Sequence, residues 1–205
     1  MKTRPLILLS ALALAGLLAG CTLLGGAHQT APDVNYQSFA DVDGLTIPEL
    51  IVDLPALGID AANFSDVVKF SHATNIHIQH LVVRTNHHQR EQAIDMNRLC
   101  SNITIDVAEV DEGLENALTI KGGCTDITIG HLIIHDGTGD CDVELGGYSA
   151  ESKARTTGVK LGTVEHDGAA VRVRVGNADW PIITSGPVDK QIDASIALAL
   201  YVLFS

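Results

Sequence analysis

The sequence predicts an all-β chain, a short parallel solenoid of about four to five coils with a cap at each end. Three observations predict it. Four segments superimpose, and the steps from Val68 to Ile94, Leu118, Val143 and Val171 are 26, 24, 25 and 28 residues. Such a fixed period marks a stacked repeat. Within each unit, apolar residues alternate with polar ones at the period of two that a half-buried strand requires, as in Asn75-Ile76-His77-Ile78 and Asn102-Ile103-Thr104-Ile105. No unit carries a 3.6-residue period, which argues against helical repeats.

Residues 1–20 read as an export leader. Met1-Lys2-Thr3-Arg4 is basic, Pro5 to Ala19 is apolar apart from Ser10 and Gly16, and Leu18-Ala19-Gly20-Cys21 follows. Small residues just before the cut fit a signal peptidase. With Cys in the next position, the segment resembles the bacterial lipobox. That resemblance implies acylation of Cys21 with palmitate-type chains and anchoring to a membrane of the cell envelope. Thr22, where an Asp would direct retention, implies the outer membrane in a Gram-negative cell. Residues 21–37 are rich in Gly, Ala and polar residues and read as a flexible tether.

Residues 38–63 are expected to form an N-terminal cap, with Leu45 to Leu57, broken by Pro48 and Pro55, laid over the first coil. A cap is needed because an open coil presents unpaired strand edges. The coils themselves are assigned to residues 64–178. Asn75, Asn102 and Asp126 fall at one corner, where Asn and Asp tolerate left-handed backbone angles. The columns Ile76, Ile103, Ile127, Val159 and Ile78, Ile105, Ile129, Leu161 are expected inside, with His77, Thr104, Thr128 and Lys160 outside. Strand, turn, strand, turn at this period resembles the single-stranded right-handed parallel β-helix of the pectate-lyase-like superfamily. The resemblance covers residues 64–178 and implies a fold, not an activity.

Residues 179–205 end in an almost wholly apolar run, Ile192 to Phe204, interrupted by Asp193 and Ser195. The run is shorter than the ~20 residues needed to span a bilayer. It reads as a C-terminal cap, with membrane contact or a subunit interface as alternatives.

Composition narrows the partners. The 205 residues are 46% hydrophobic, which is globular, and only 4% aromatic, which suits strands of Val, Ile, Leu and Ala. The formal charge is -12; removing Lys2 and Arg4 from 13 basic residues leaves 11 against 25 acidic ones, or -14. Such a surface repels phosphate backbones, so nucleic acid is not an expected partner.

Three cysteines remain after Cys21. Cys100 and Cys124 occupy the same place in consecutive coils, and an extracytoplasmic location permits oxidation. A coil-to-coil disulfide and a pair of small buried hydrophobes both fit. Cys141 has no sequence partner, and no Cys-x-x-Cys spacing occurs.

Two groups of residues carry candidate chemistry. The tripeptides His135-Asp136-Gly137 and His166-Asp167-Gly168, with Asp111-Glu112-Gly113 one coil earlier, would stack Glu112, Asp136 and Asp167 in an acidic column flanked by His135 and His166. Such a column could bind a divalent cation or divide into an acid and a base; a repeated polar turn ending in Gly reads the same residues without chemistry. Asp136, Asp140 and Asp142 form a weak calcium-like loop. No metal site is otherwise expected, and no cofactor is required. The second group lies in the longest loop, where Tyr148 could stack on a sugar ring while Glu151, Lys153 and Arg155 supply hydrogen bonds. The paired-Asp and Gly-His-Gly pattern of polygalacturonases and the Arg-rich signature of pectate lyases are absent, as are a nucleophile elbow, a phosphate loop and an HExxH motif. A binding or scaffolding module for a glycan or an envelope protein is the expectation, with a small carbohydrate-active enzyme using the acidic column as the rival.

Overall fold

Among the described residues, twelve strands alternate between two parallel sheets, one short strand and one long strand to each coil. Along the chain they are β1 (Gln37–Ala40), β2 (Asp43–Asp53), β3 (Val68–Ser71) and β4 (Thr74–Arg84). Then come β5 (Gln92–Asn97), β6 (Ser101–Asp111), β7 (Asn116–Ile120) and β8 (Thr125–His135), followed by β9 (Val143–Gly146), β10 (Lys160–His166), β11 (Val173–Gly176) and β12 (Ile183–Thr184). Odd-numbered strands build one sheet and even-numbered strands the other, and every neighbouring pair is parallel. The structure is a computed structural model. It describes residues 34–136, 139, 141–146, 156–167, 169, 171–176 and 183–184. All of these belong to one compact unit, which is an all-β parallel β-helix of about five turns.

The interior is a set of straight columns. Ile76, Ile103 and Ile127 stand in register, as do Ile78, Ile105, Ile129 and Leu161, and all are almost fully buried. The short strands contribute Phe70, Met96, Ile120 and Leu145, with Phe39 stacked on Phe70 at a ring separation of 4.8 Å. Identical residues at identical depth let each side chain pack on its own kind one coil away, so the repeat in sequence becomes a repeat in packing.

The corner expected from Asn75, Asn102 and Asp126 is present. Their φ angles are 55, 52 and 56°, and Gly158 continues the column at 68°. Hydrogen bonds run along it, from Asn102 Nδ2 to Asn75 Oδ1 and from Asn75 Nδ2 to Asp43 Oδ1, each 2.7 Å. The amide side chain therefore does two jobs: it tolerates the left-handed turn and ties one coil to the next.

Each long strand bends midway. In β4 the inward residues Ile78 and Leu81 are separated by two outward ones, Gln79 and His80, so the alternation slips by one. The equivalent place in β8 is Gly130, where an added Cβ would lie 2.5 Å from the Asp106 carbonyl oxygen, and in β10 it is Gly162, which would meet the Gly130 oxygen. Glycine at the bend lets three coils approach backbone to backbone.

The solenoid starts earlier and ends in a different register than the sequence suggests. Residues 37–53, of which 37 was expected in the tether and 38–53 in the cap, hold β1 and β2, which pair along β3 and β4 as a complete coil. Pro48 hides this coil by interrupting the pattern, yet it sits at the bend of an edge strand, where no ladder amide is required. At the other end Val143 pairs with Val173, two residues beyond Val171. A shift of two preserves which side chains face inward. The polar outer face of the short-strand sheet is also more enclosed than its residues imply. Lys69 is buried, with its ammonium 2.8 Å from Asp66 and 3.0 Å from Asp95.

Candidate functional site

The expected acidic column divides into two clusters because the coils do not stack as the repeated tripeptides suggest. His135 stands in register with Asp111, and His166 with Ile134, so the two histidines occupy adjacent columns and point in opposite directions. A one-residue offset on a strand reverses the face a side chain serves. Glu112, Asp136 and Asp167 accordingly do not form one line.

His135 faces outward and lies 2.9 Å from Asp167 through Nδ1 and 3.8 Å from Glu109 through Nε2. Glu109 in turn accepts from His80 Nε2 at 3.0 Å, and the other nitrogen of His80 lies 3.5 Å from Glu49. A chain of alternating carboxylates and imidazoles, Glu49, His80, Glu109, His135 and Asp167, thus runs across five coils of the long-strand sheet. Arg84 joins it at Glu109, 3.3 Å away. Burial acts to raise the Glu109 carboxyl, but His80, Arg84 and His135 outweigh it and hold the group below the ordinary carboxylate range. Beside this chain, His77 meets Asp106 at 2.8 Å and His131 meets Glu165 at 3.0 Å. His77 is thus more than polar decoration; each of these imidazoles bridges from one coil to another.

The second cluster is internal. Glu112 and Asp142 are fully buried, and the guanidinium of Arg172 bridges them. Arg172 donates from Nη2 to Asp142 Oδ1 at 2.8 Å and to Glu112 Oε1 at 3.2 Å, and from Nη1 to the Gly139 carbonyl at 2.7 Å. Its backbone amide also donates to Asp142. Glu112 further accepts from the Gly139 amide at 3.2 Å. Nδ1 of His166, whose side chain is only 4% exposed, lies 3.3 Å from Asp142. Burial, then the hydrogen bond and charge of Asp142, push the Glu112 carboxyl up to about 7, against the opposing pull of Arg172 and the Gly139 amide. Two carboxyls and one guanidinium in an enclosed space leave one negative charge in excess, and a proton on Glu112 removes it.

The step from Val143 to Val171 in the sequence would set Arg172 opposite Glu144. The two-residue shift in the last coil places Arg174 there instead, 3.1 Å from Glu144, and frees Arg172 for the buried pair. Asp142, expected only as a candidate calcium ligand, is occupied by Arg172. Among the described residues no group of three or more His, Cys, Asp or Glu is arranged to hold a metal ion. Asp136 is exposed, whereas Glu112 is fully buried. Cys100 and Cys124 are free thiols, stacked and buried. Cys21 and the loop residues Tyr148, Glu151, Lys153 and Arg155 lie outside the described residues, as does the apolar run 192–204. Asp142 and Arg172 are what sequence reasoning missed. The usable signal was an Arg beside the strand of one coil and an Asp at the corresponding place one coil earlier.

Comparison with protein families, with curated proteins and with solved structures finds no match.

Proposed function

We propose that the chain is an exported lipoprotein, anchored in the cell envelope through an acylated Cys21, whose β-helix binds or scaffolds an envelope polymer, a glycan by class. One observation carries this reading: the outer face of the long-strand sheet repeats carboxylates and imidazoles at the spacing of the coils, from Glu49 through His80, Glu109 and His135 to Asp167. Stacked strands lie ~4.8 Å apart, so the face offers evenly spaced donors and acceptors to a hydroxyl-bearing chain. Its acidity favours neutral or cationic polymers over polyanions. The lipobox resemblance agrees with an outer-membrane position in a Gram-negative cell. The loop with Tyr148, Glu151, Lys153 and Arg155 is a second contact region in this reading.

A form beginning at Thr22, passed over immobilised envelope polysaccharides, tests the proposal. Retention that falls at least tenfold in a His80→Ala, His135→Ala double variant supports it. Equal retention of wild type and variant on every polymer overturns the assignment to this face.

The enzymatic reading keeps one specific observation, the Glu112 carboxyl raised to about 7 beside Asp142, which is how an acid poised for proton transfer is made. Both groups lie beneath Arg172, so catalysis would require that side chain, itself half-exposed, to swing aside. Release of reducing or unsaturated ends by wild type, abolished in Glu112→Gln, would establish that reading over binding alone.

A further inference from the structure

Cys100 and Cys124 stand one above the other. Ser101 and Thr125 are partners in the β6–β8 ladder, and the Thr125 amide donates to the Cys100 carbonyl at 2.8 Å. Each thiol donates to the carbonyl three residues earlier, Cys100 to Asn97 at 3.0 Å and Cys124 to Lys121 at 2.9 Å. The two side chains therefore leave the backbone in the same direction, side by side in consecutive coils. The neighbouring Cys124 holds the Cys100 thiol below its ordinary value, and the presence of Cys100 together with burial pushes Cys124 up. Cys141 is engaged elsewhere, donating to Asn116 Oδ1 at 2.9 Å.

The turn that leads into Cys100 is unusual among its neighbours. Arg98 and Leu99 both adopt left-handed angles, φ 57 and 63°, where the next coil uses Gly122 and Gly123 at 67 and 80°. A side chain in that conformation is strained where glycine is not, and Leu99 is 45% exposed. This strained turn immediately precedes Cys100 in the chain.

We propose that Cys100 and Cys124 are a coil-to-coil disulfide site, closed by thiol–disulfide exchange with a disulfide donor of an oxidising compartment. The Cys100 thiolate attacks one sulfur of the donor, forms a mixed disulfide and expels the first donor thiolate. Cys124, losing its proton to that thiolate, then attacks Cys100 Sγ and expels the second, which takes up the proton released from Cys100. Two protein thiols are oxidised and one donor disulfide is reduced to two thiols. Strands at ~4.8 Å already fall within the 4.4–6.8 Å Cα separation of disulfides. The bond encloses one complete coil. Its formation in cells rests on the export reading, but the site itself does not.

The full chain, unfolded and reduced, is refolded with glutathione disulfide, alkylated and mapped by mass spectrometry without reduction. The expected result is a linked pair of peptides carrying Cys100 and Cys124, with Cys141 alkylated, and the same link in a Cys141→Ser variant. Cys100 and Cys124 both recovered as alkylated thiols, or a link through Cys141, would overturn the proposal. Leader-bearing cells trapped with the same alkylating reagent separate the two ideas. A link found after refolding but absent in cells leaves the site standing and counts against export.

Discussion

Glu112 and Asp142, both fully buried, are held by a single guanidinium, that of Arg172. The arrangement makes stability depend on pH in a defined direction. Glu112 has an ordinary value of 4.5 and a folded value of about 7. Between these two values the folded chain retains a proton that the unfolded chain has lost, so stability falls as pH rises through that window. Melting followed by circular dichroism from pH 5 to 8 should lose about 2–4 °C per kcal/mol forfeited. Glu112→Gln should flatten that decline and melt above wild type at pH 8.

Removing the guanidinium exposes the opposite side of the same balance. Arg172→Met should destabilise by about 2–3 kcal/mol, less than the 3–5 expected for a fully buried pair because the guanidinium is half-exposed. Urea denaturation should find a larger loss at pH 8 than at pH 5.5, and a Glu112→Gln, Arg172→Met double variant should recover part of it.

The bend glycines and the turn glycines should respond differently to alanine. Gly130→Ala drives a Cβ into the Asp106 carbonyl, a backbone atom that cannot step aside, and should cost about 2–3 kcal/mol. Gly44→Ala meets nothing within 4 Å and faces only its left-handed φ of 73°, so about 1 kcal/mol is expected. Urea midpoints of the two variants, measured side by side, should rank them in that order.

The Asn ladder separates two roles of one residue. Asn102→Gly keeps the left-handed turn and loses the 2.7 Å bond to Asn75, whereas Asn102→Ala loses both. The Gly variant should cost about 0.5–1.5 kcal/mol and the Ala variant about 1 kcal/mol more. Equal losses in thermal unfolding would mean that the turn imposes no strain.

Much of this fold is legible in the sequence because the repeat is written in residues that can do only one thing at their positions. Ile at 76, 103 and 127 must be inside if its neighbours are polar, and Asn at 75 and 102 marks a left-handed corner. Legibility failed where chain length, rather than residue type, fixed the register. The extra residues before Val173 moved Arg172 away from Glu144 and onto Asp142, and nothing in the local pattern counts them. The first coil was lost for a related reason. Pro48 reads as a break in any strand, and only the bend, visible once coils are stacked, explains why it is tolerated. The candidate site suffered most, since His135-Asp136 and His166-Asp167 look equivalent as dipeptides yet sit one residue out of phase. Repeated words in a sequence need not occupy repeated places.

The ladder from β6 to β8 has one more consequence. Ser101 pairs with Thr125, Ile103 with Ile127, Ile105 with Ile129 and Val110 with Ile134, while β5 and β7 match Ile94 to Leu118 and Met96 to Ile120. Cys100 and Cys124 stand at the same seam. A chain lacking residues 101–124 would pass from Cys100 straight into Thr125 with every inward residue still facing its counterpart. The length of this molecule is in that sense an editable quantity. Gene segments of one period can be excised or duplicated at the seam, shortening or lengthening the outer face in unit steps, with the inward packing retained.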